Sequence, residues 1–366
     1  SSVAVGWSGY AVILLRELGI AVPARLTGAP GTSVVLPDGS AVTALFNLPA
    51  VIICLAITTL LVVGIRESAR VNTTIVVIKV VVLALFVIIG AQYVNTANLH
   101  PFIPPNTGHF GSFGWSGILR GAGIIFFAYI GFDAVSTASQ EARNPGRDIP
   151  IGILVSLAIC TVIYIAVGLV MTGLVPYTRL NVPSPIAVAV QATGVSWLAP
   201  IINIGAICGL TSVILVNLLA QSRIFYSMSR DGLLPPVFAR LHPRFRTPHL
   251  TTAITGLVVA TAAGLFPIDV LGQLVSMGTL LAFAIVCAGV LILRRIEPDT
   301  PRPFKTPGMP WVPVFGTLIC FYLMSGLPLR TWIRLFVWLA IGLTIYFTYG
   351  RFRAAAVRKQ PLADAA

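Results

Sequence analysis

The sequence predicts an all-α, polytopic membrane protein, and three observations support that fold class. Hydrophobic residues make up 57% of the chain and charged residues only 10%, whereas a soluble globular domain carries about 25% charged residues. The mean hydropathy of +0.93 leaves too few polar groups to cover a surface in water. Apolar runs of about 20 residues, the length that crosses a bilayer, recur along the whole chain. Together these observations exclude a soluble enzyme and a disordered protein.

We predict ten membrane spans that form one transmembrane domain over 1–366, with a tail at 350–366. The first span is already under way at Ser1, without the charged start or cleavage site of a signal peptide. The predicted limits are 1–18, 48–65, 73–91, 115–139, 149–174, 197–222, 249–265, 269–293, 311–327 and 331–349.

The boundaries follow from segments that do not belong in a bilayer. The first three spans are separated by a loop at 19–47 that contains Arg25 and by one at 66–72 that contains Arg66 and Arg70. An uncharged loop at 92–114, rich in proline and glycine, precedes the fourth span. A charged segment at 140–148, which contains two arginines, separates the fourth span from the fifth.

The later spans are bounded in the same way. Prolines followed by a short apolar run at 181–193 predict an external re-entrant or surface helix. The sixth span leads into a loop at 223–248 that contains five arginines. Only the turn at 266–268 divides the seventh span from the eighth, and a basic loop at 294–310 follows the eighth.

Lysine and arginine are divided unevenly between alternate loops, 17 on one side and three on the other. The positive-inside rule therefore places the basic loops and the C-terminal tail in the cytoplasm, and we predict a protein of the plasma membrane. A net charge of +13 would suggest nucleic acid in a soluble protein. Here the loop bias and contacts with anionic lipid account for it, so we expect membrane lipid and no nucleic acid among the partners.

Nothing in the sequence predicts a metal or a cofactor. The five cysteines all fall in apolar stretches without paired spacing, and the four histidines lie in or beside loops without an acidic or cysteine cluster. The segment at 121–123 lacks the strand and the spacing of a dinucleotide-binding turn.

Two charged residues lie deeper in the predicted spans than the other charges, which are near span ends. Lys79 in the third span and Asp133 in the fourth each lie about six residues from the cytoplasmic end, or roughly 9 Å along a helix. A charge at that depth is costly unless it is paired or hydrated, so both are candidate functional residues. The alternatives are that Lys79 extends its ammonium group to the interface and that Asp133 caps a half-helix or pairs with Lys79.

Two further features of the apolar spans are candidates for a functional role, namely glycines in the fourth span and hydroxyl groups in the sixth. Glycines interrupt the fourth span before Asp133, which predicts either a broken helix or close packing by small residues. Thr211 and Ser212 lie near the middle of the sixth span. Such hydroxyls bind a small cation, accept a hydrogen bond from an ammonium group, or bond back to their own helix.

Four segments resemble cationic amino acid transporters of the amino acid–polyamine–organocation (APC) superfamily. They are GFDAVSTASQEARNPGRDIPIG at 131–152, SMSRDGLLPPVFARLHPRFRTP at 227–248, RPFKTPGMPWVPVFG at 302–316 and GWSGY at 6–10. The resemblance implies the inverted-repeat, LeuT-like transporter fold, with the ten spans equivalent to family helices three to twelve. It also implies that family helices one and two, and the start of three, are missing from the N-terminal side.

The resemblance also implies roles for individual residues. The broken fourth span would bind the substrate's amino group through the main-chain carbonyls of Phe127, Ala128 and Ile130. Asp133 would shape the pocket or assist cationic substrates. Lys79 would be the proton-coupling group, and Thr211 and Ser212 match the hydroxyl region beside it.

We therefore predict a proton-coupled secondary transporter of cationic or broad-range amino acids that works by alternating access, and not an enzyme. The main alternative is a non-transporting amino-acid sensor or an inactive permease fragment, because family helix one is not in the sequence. A channel would need polar faces on several spans. An intramembrane enzyme would need a catalytic pair, for which Lys79 with a hydroxyl of the sixth span is the formal candidate.

Overall fold

The protein is helical, and its computed structural model describes residues 1–35, 40–64, 69–132, 144–182, 184–243, 245, 247–302 and 304–358. The helices of the first half are α1 (Ser2–Glu17), α2 (Leu48–Val63), α3 (Ala69–Gly90), α4 (Gly114–Ile125) and α5 (Pro145–Leu174). Those of the second half are α6 (Pro185–Gln191), α7 (Leu198–Arg230), α8 (His249–Leu265), α9 (Ile268–Ile296), α10 (Trp311–Ser325), α11 (Leu329–Ile345) and α12 (Arg351–Arg358). Strands β1 (Ser33–Val35) and β2 (Ala41–Thr43) form an antiparallel hairpin between α1 and α2.

The described residues include five helical stretches that are long and apolar enough to cross a membrane. They are Thr73–Tyr93, Pro145–Leu174, Leu198–Arg230, Ile268–Ile296 and Leu329–Ala354. Helices α2, α8 and α10 are apolar but shorter. The prediction of a helical membrane protein with several spans is confirmed, the short hairpin departs from an all-α fold, and the number ten for the spans remains a prediction.

Helix limits depart from the predicted spans where polar residues continue a helix. The sixth span was predicted to end at residue 222, but α7 continues to Arg230. The fifth was predicted to begin at residue 149, but α5 begins at Pro145, with Pro150 inside it. Hydropathy marks where a helix leaves an apolar medium, while backbone hydrogen bonds carry it onward. The short helix predicted after residue 181 is confirmed as α6.

The chain divides into two compact units. The first unit comprises Ser1–Asn95, Val170–Ile268 and Trp338–Ala366, and the second comprises Thr96–Leu169 and Asp269–Val337. In the first unit, α1, α2, α7 and α8 pack together, and α3 packs against α7. The fully buried Asn47 joins two of these helices, since its side chain caps the amide of Ala50 in α2 and its own amide donates to the carbonyl of Gly264 in α8.

The core of the second unit lies between α9, α10 and α11. Its buried residues are Met277, Leu280, Ala284, Cys320, Met324, Leu327 and Leu335. Helix α4 crosses α10 closely, because Gly123 lies against the carbonyl of Leu323 and Gly326 lies against Leu119. Small residues at such a crossing let two helix backbones approach in an apolar solvent.

Candidate functional site

The fourth predicted span is interrupted as a helix at the position the glycines indicated. Helix α4 ends at Ile125, and a 3₁₀ turn follows at Phe126–Tyr129. Ile130 is extended, with φ −63° and ψ 134°, and Gly131 has a φ of +129° that an L side chain rarely adopts. The two interpretations of the glycines both apply: Gly123 serves packing, and Gly131 serves the break.

Ser276 of α9 pairs with the backbone at this break. Its hydroxyl accepts a hydrogen bond from the amide of Phe127 at 3.0 Å and donates to the carbonyl of Ile124 at 2.7 Å. Ser276 is fully buried. An inserted side chain of this kind is a common physical cause of a helix kink, because it replaces backbone partners in the helical ladder.

Two of the three carbonyls that the resemblance assigns to the substrate have local partners. The carbonyl of Phe127 accepts the amide of Ile130 at 3.1 Å, which closes the turn. The carbonyl of Ala128 accepts the hydroxyl of Tyr164, on α5, at 2.7 Å. A carbonyl has two lone pairs, so each retains the capacity to accept a second donor.

Tyr129 attaches the turn to α5 as well. Its hydroxyl lies 3.3 Å from that of Thr161, and its ring meets the ring of Tyr164 edge-on at 5.2 Å. The break is thus held by α5 on one side and by α9 on the other. Asp133 lies outside the described residues, so its position relative to the turn stays a prediction.

Lys79 lies in the first unit, where the stem of its side chain runs along α7. A Cβ atom added to Gly209 would lie 3.4 Å from the Cδ atom of Lys79. One turn away on α7, Val82 comes closer, with its Cγ1 atom 2.7 Å from where a Cβ atom of Gly205 would stand. Two glycines spaced by four residues therefore give α3 a flat face on α7, and the half-buried lysine stem occupies it.

The two predicted hydroxyl groups of α7 occupy different sides of that helix. Successive residues are separated by about 100°, so Ser212 lies about 60° from Gly209 and Thr211 about 160°. Thr211 accepts a hydrogen bond from the indole of Trp7 in α1 at 2.9 Å. Ser212 is thus nearer the side of Lys79, and Thr211 faces α1.

Both hydroxyls also bond back to their own helix. Thr211 donates to the carbonyl of Ile207 at 2.7 Å, and Ser212 donates to that of Gly209 at 2.8 Å. This is the alternative that the sequence left open. Because each hydroxyl proton is engaged, what the pair can offer an ammonium group is an oxygen lone pair.

Sequence reasoning missed four residues of these clusters: Trp7, Thr161, Tyr164 and Ser276. Trp7 lies in the GWSGY segment that carries part of the resemblance, but nothing in its spacing indicates Thr211, 204 positions away. Ser276 was visible only as a hydroxyl in an apolar helix. Its partners depend on which face of α9 meets the break.

The chain is similar to known permeases and transporters. A family model described as amino acid permease matches residues 2–351. A methylthioribose transporter of Bacillus subtilis (strain 168) is 45% identical over 351 residues, which is 96% of this chain and 73% of that protein. The branched-chain amino acid permease BcaP of the same organism is 44% identical over 352 residues, with the same coverage.

A more distant relative matches a shorter part of the chain. The vacuolar cationic amino acid transporter 4 of Arabidopsis thaliana is 39% identical over 250 residues, which is 68% of this chain and 41% of that protein. The three relatives thus share a transport function under names that differ in substrate.

Proposed function

This chain belongs to the amino acid permease family, and we propose that it carries amino acids across the membrane as a secondary active transporter working by alternating access. The observation that supports this proposal is the break after Ile125, which takes main-chain carbonyls out of the α-helical hydrogen-bond pattern within an apolar segment. Backbone freed in this way is tolerated in a membrane where it is buried in protein or lines a cavity, and transporters bind polar solutes there.

The amino group of the substrate binds to the turn. Its ammonium group donates to the free lone pairs of the carbonyls of Phe127, Ala128 and Ile130, and charge strengthens each of these hydrogen bonds. Asp133 follows the turn in sequence and adds a negative charge that favours a cationic side chain. The nonpolar part of the substrate contacts the surrounding apolar residues.

Transport is coupled to protons through Lys79. Its stem packs against Gly209, which places the side chain beside α7. A lysine ammonium group can release and regain a proton, which is the step that coupling requires of Lys79. Thr211 contributes through its bond to Trp7, which joins α7 to α1.

The whole chain acts as one permease domain of ten spans in the plasma membrane. The spans correspond to family helices three to twelve of the inverted-repeat fold, and the tail from residue 350 is cytoplasmic. The bias of lysine and arginine toward alternate loops supports this orientation.

The substrate is of the cationic or broad-range class. A second candidate class is branched-chain amino acids, because the relative named for them covers 96% of the chain at 44% identity. The name of the methylthioribose transporter adds a third compound to the test. A non-transporting amino-acid sensor is the remaining alternative.

The test is uptake of labelled arginine, leucine and methylthioribose into proteoliposomes that contain this chain under an inward proton gradient. We expect accumulation of at least one amino acid and its loss when a protonophore dissipates the gradient. Accumulation that persists with the protonophore would contradict proton coupling. Saturable binding without uptake would favour the sensor.

A further inference from the structure

Two other helices form hydrogen bonds with the break after α4, α9 through Ser276 and α5 through Tyr164. The hydroxyl of Ser276 lies between the amide of Phe127 and the carbonyl of Ile124, two groups that a 3₁₀ turn would pair directly with each other. The serine thereby widens the turn at the residue before Ala128.

A glycine one turn from Ser276 lets α9 lie close to the break. Gly272 lies one turn before Ser276, and a Cβ atom there would lie 3.0 Å from the Cε1 atom of Phe127. The absence of a side chain at Gly272 lets the Phe127 ring lie against the helix. Gly272 and Ser276 therefore present one face of α9 to the break.

Tyr164 holds the other side. Its hydroxyl donates to the Ala128 carbonyl at 2.7 Å, and its ring packs edge-on against Tyr129. A hydrogen bond at one lone pair fixes the plane of the peptide group and so fixes the direction of the other lone pair. That second lone pair is the one available to an ammonium group.

We propose that Ser276 and Tyr164 are positioning residues of the amino-acid site, which set the carbonyls of the break for the substrate's ammonium group without contacting the substrate themselves. The inference rests on the proposed function. Because Ser276 is fully buried, water cannot readily replace its hydroxyl, and its loss leaves both the Phe127 amide and the Ile124 carbonyl without that partner.

The test uses two substitutions, each with a matched control. Ser276→Ala removes the two hydrogen bonds that the Ser276 hydroxyl makes with Phe127 and Ile124, and Ser276→Thr retains a hydroxyl. Thr331→Val is the control, because Thr331 is equally buried and its 2.9 Å bond to Gln273 joins α11 to α9 rather than α9 to the break. Tyr164→Phe removes the bond to Ala128, and its control is Tyr322→Phe, because Tyr322 is an exposed tyrosine of α10.

Uptake kinetics, melting temperature and amide hydrogen exchange are measured for each variant. We expect Ser276→Ala and Tyr164→Phe to raise the KM about tenfold with a maximal rate within about twofold of the unsubstituted protein, since misplaced binding groups weaken binding. Ser276→Thr, which keeps a hydroxyl, should have a KM close to that of the unsubstituted protein. Thr331→Val should lower the melting temperature without changing the KM, and Tyr322→Phe should leave the KM unchanged.

Hydrogen exchange separates this inference from the proposed function. The amide of Phe127 should exchange about tenfold faster in Ser276→Ala than in the unsubstituted protein, because it loses its acceptor. Unchanged exchange, or an equal KM increase in Thr331→Val, would overturn the inference. Failure of the unsubstituted protein to take up any amino acid would instead overturn the proposed function, and the exchange measurement would still decide whether Ser276 holds the break.

Discussion

At the scale of single residues, Lys79 combines an apolar stem with a charged end. Its Cδ atom lies at ordinary contact distance, 3.4 Å, from where a Cβ atom of Gly209 would stand. The stem therefore packs beside α7, and the proposed coupling role and extension to the interface are alternatives that a substitution separates.

Replacement of Lys79 by alanine should abolish accumulation driven by a proton gradient, because the group that takes up the proton is gone. Exchange of labelled for unlabelled substrate, which needs no net proton movement, should persist. Uptake and counterflow in proteoliposomes measure the two. Lys305→Ala is the control, since Lys305 lies in the basic loop after α9. Undiminished accumulation in Lys79→Ala would remove this residue from the coupling role.

Asp133 makes a second prediction at this scale. Asp133→Asn should weaken uptake of arginine or lysine more than uptake of alanine or leucine, because only the cationic side chains lose a favourable charge. An exposed or hydrated ion pair contributes about 1 kcal/mol, or roughly fivefold in KM. Competition of each amino acid with labelled alanine gives the comparison. Equal losses for all four would indicate a structural role.

Trp7 supplies a prediction about stability. Trp7→Phe removes the indole donor to Thr211 and keeps an aromatic ring in place. Hydrogen bonds between membrane helices contribute about 0.6 kcal/mol on average, so a fall in melting temperature of a few degrees is expected. The same fall in Thr211→Val, with no further fall in the double variant, would show that the two side chains act on each other. Additive losses would contradict the bond.

At the scale of elements, the sequence predicted the helices well wherever an apolar run meets a polar boundary. The turn between α8 and α9 was placed at 266–268, and the structure ends α8 at Leu265 and begins α9 at Ile268. The break in the fourth span was also predictable, because glycine tolerates the positive φ of Gly131.

What the sequence could not supply was the partner of each exposed backbone group. The hydrogen bond between Ser276 and Phe127 joins residues 149 positions apart, and the bond from Tyr164 to Ala128 joins residues 36 positions apart. Such pairings depend on which faces of α5 and α9 meet the turn, and hydropathy carries no information about that. For the same reason Thr211 and Ser212 were predicted together, although their neighbours differ.

The α4–α10 crossing gives a matched test on one helix. A Cβ atom at Gly123 would lie 2.8 Å from the carbonyl oxygen of Leu323, while nothing lies within 4 Å of that position at Gly121. Gly123→Ala should therefore lower the melting temperature, since the backbones must separate. Gly121→Ala should leave it unchanged or raise it, because alanine is favoured over glycine by about 1 kcal/mol inside a helix. Similar losses in both would mean that the crossing is looser than the structure shows.

At the scale of the whole molecule, the distribution of charge predicts which loops share a side. The loop at 92–114 contains no lysine or arginine, whereas the loop at 294–310 and the tail each contain four. Seven predicted spans lie between the uncharged loop and the tail, and five lie between that loop and residue 294. Because both numbers are odd, span counting places residue 294 and the tail on the opposite side of the membrane from the uncharged loop. The positive-inside rule gives the same result.

Fusions to two reporters in a bacterial host test this orientation directly. Alkaline phosphatase folds only outside the cytoplasm, and green fluorescent protein exported in unfolded form does not fluoresce. A phosphatase fused after Gly108 should therefore be active, and one fused after Asp299 or Arg358 inactive, with the fluorescent fusions giving the reverse. Phosphatase activity after both Gly108 and Arg358 would mean an even number of crossings between them. One predicted span would then not cross, and the fourth, whose helix ends at Ile125, would be the first to re-examine.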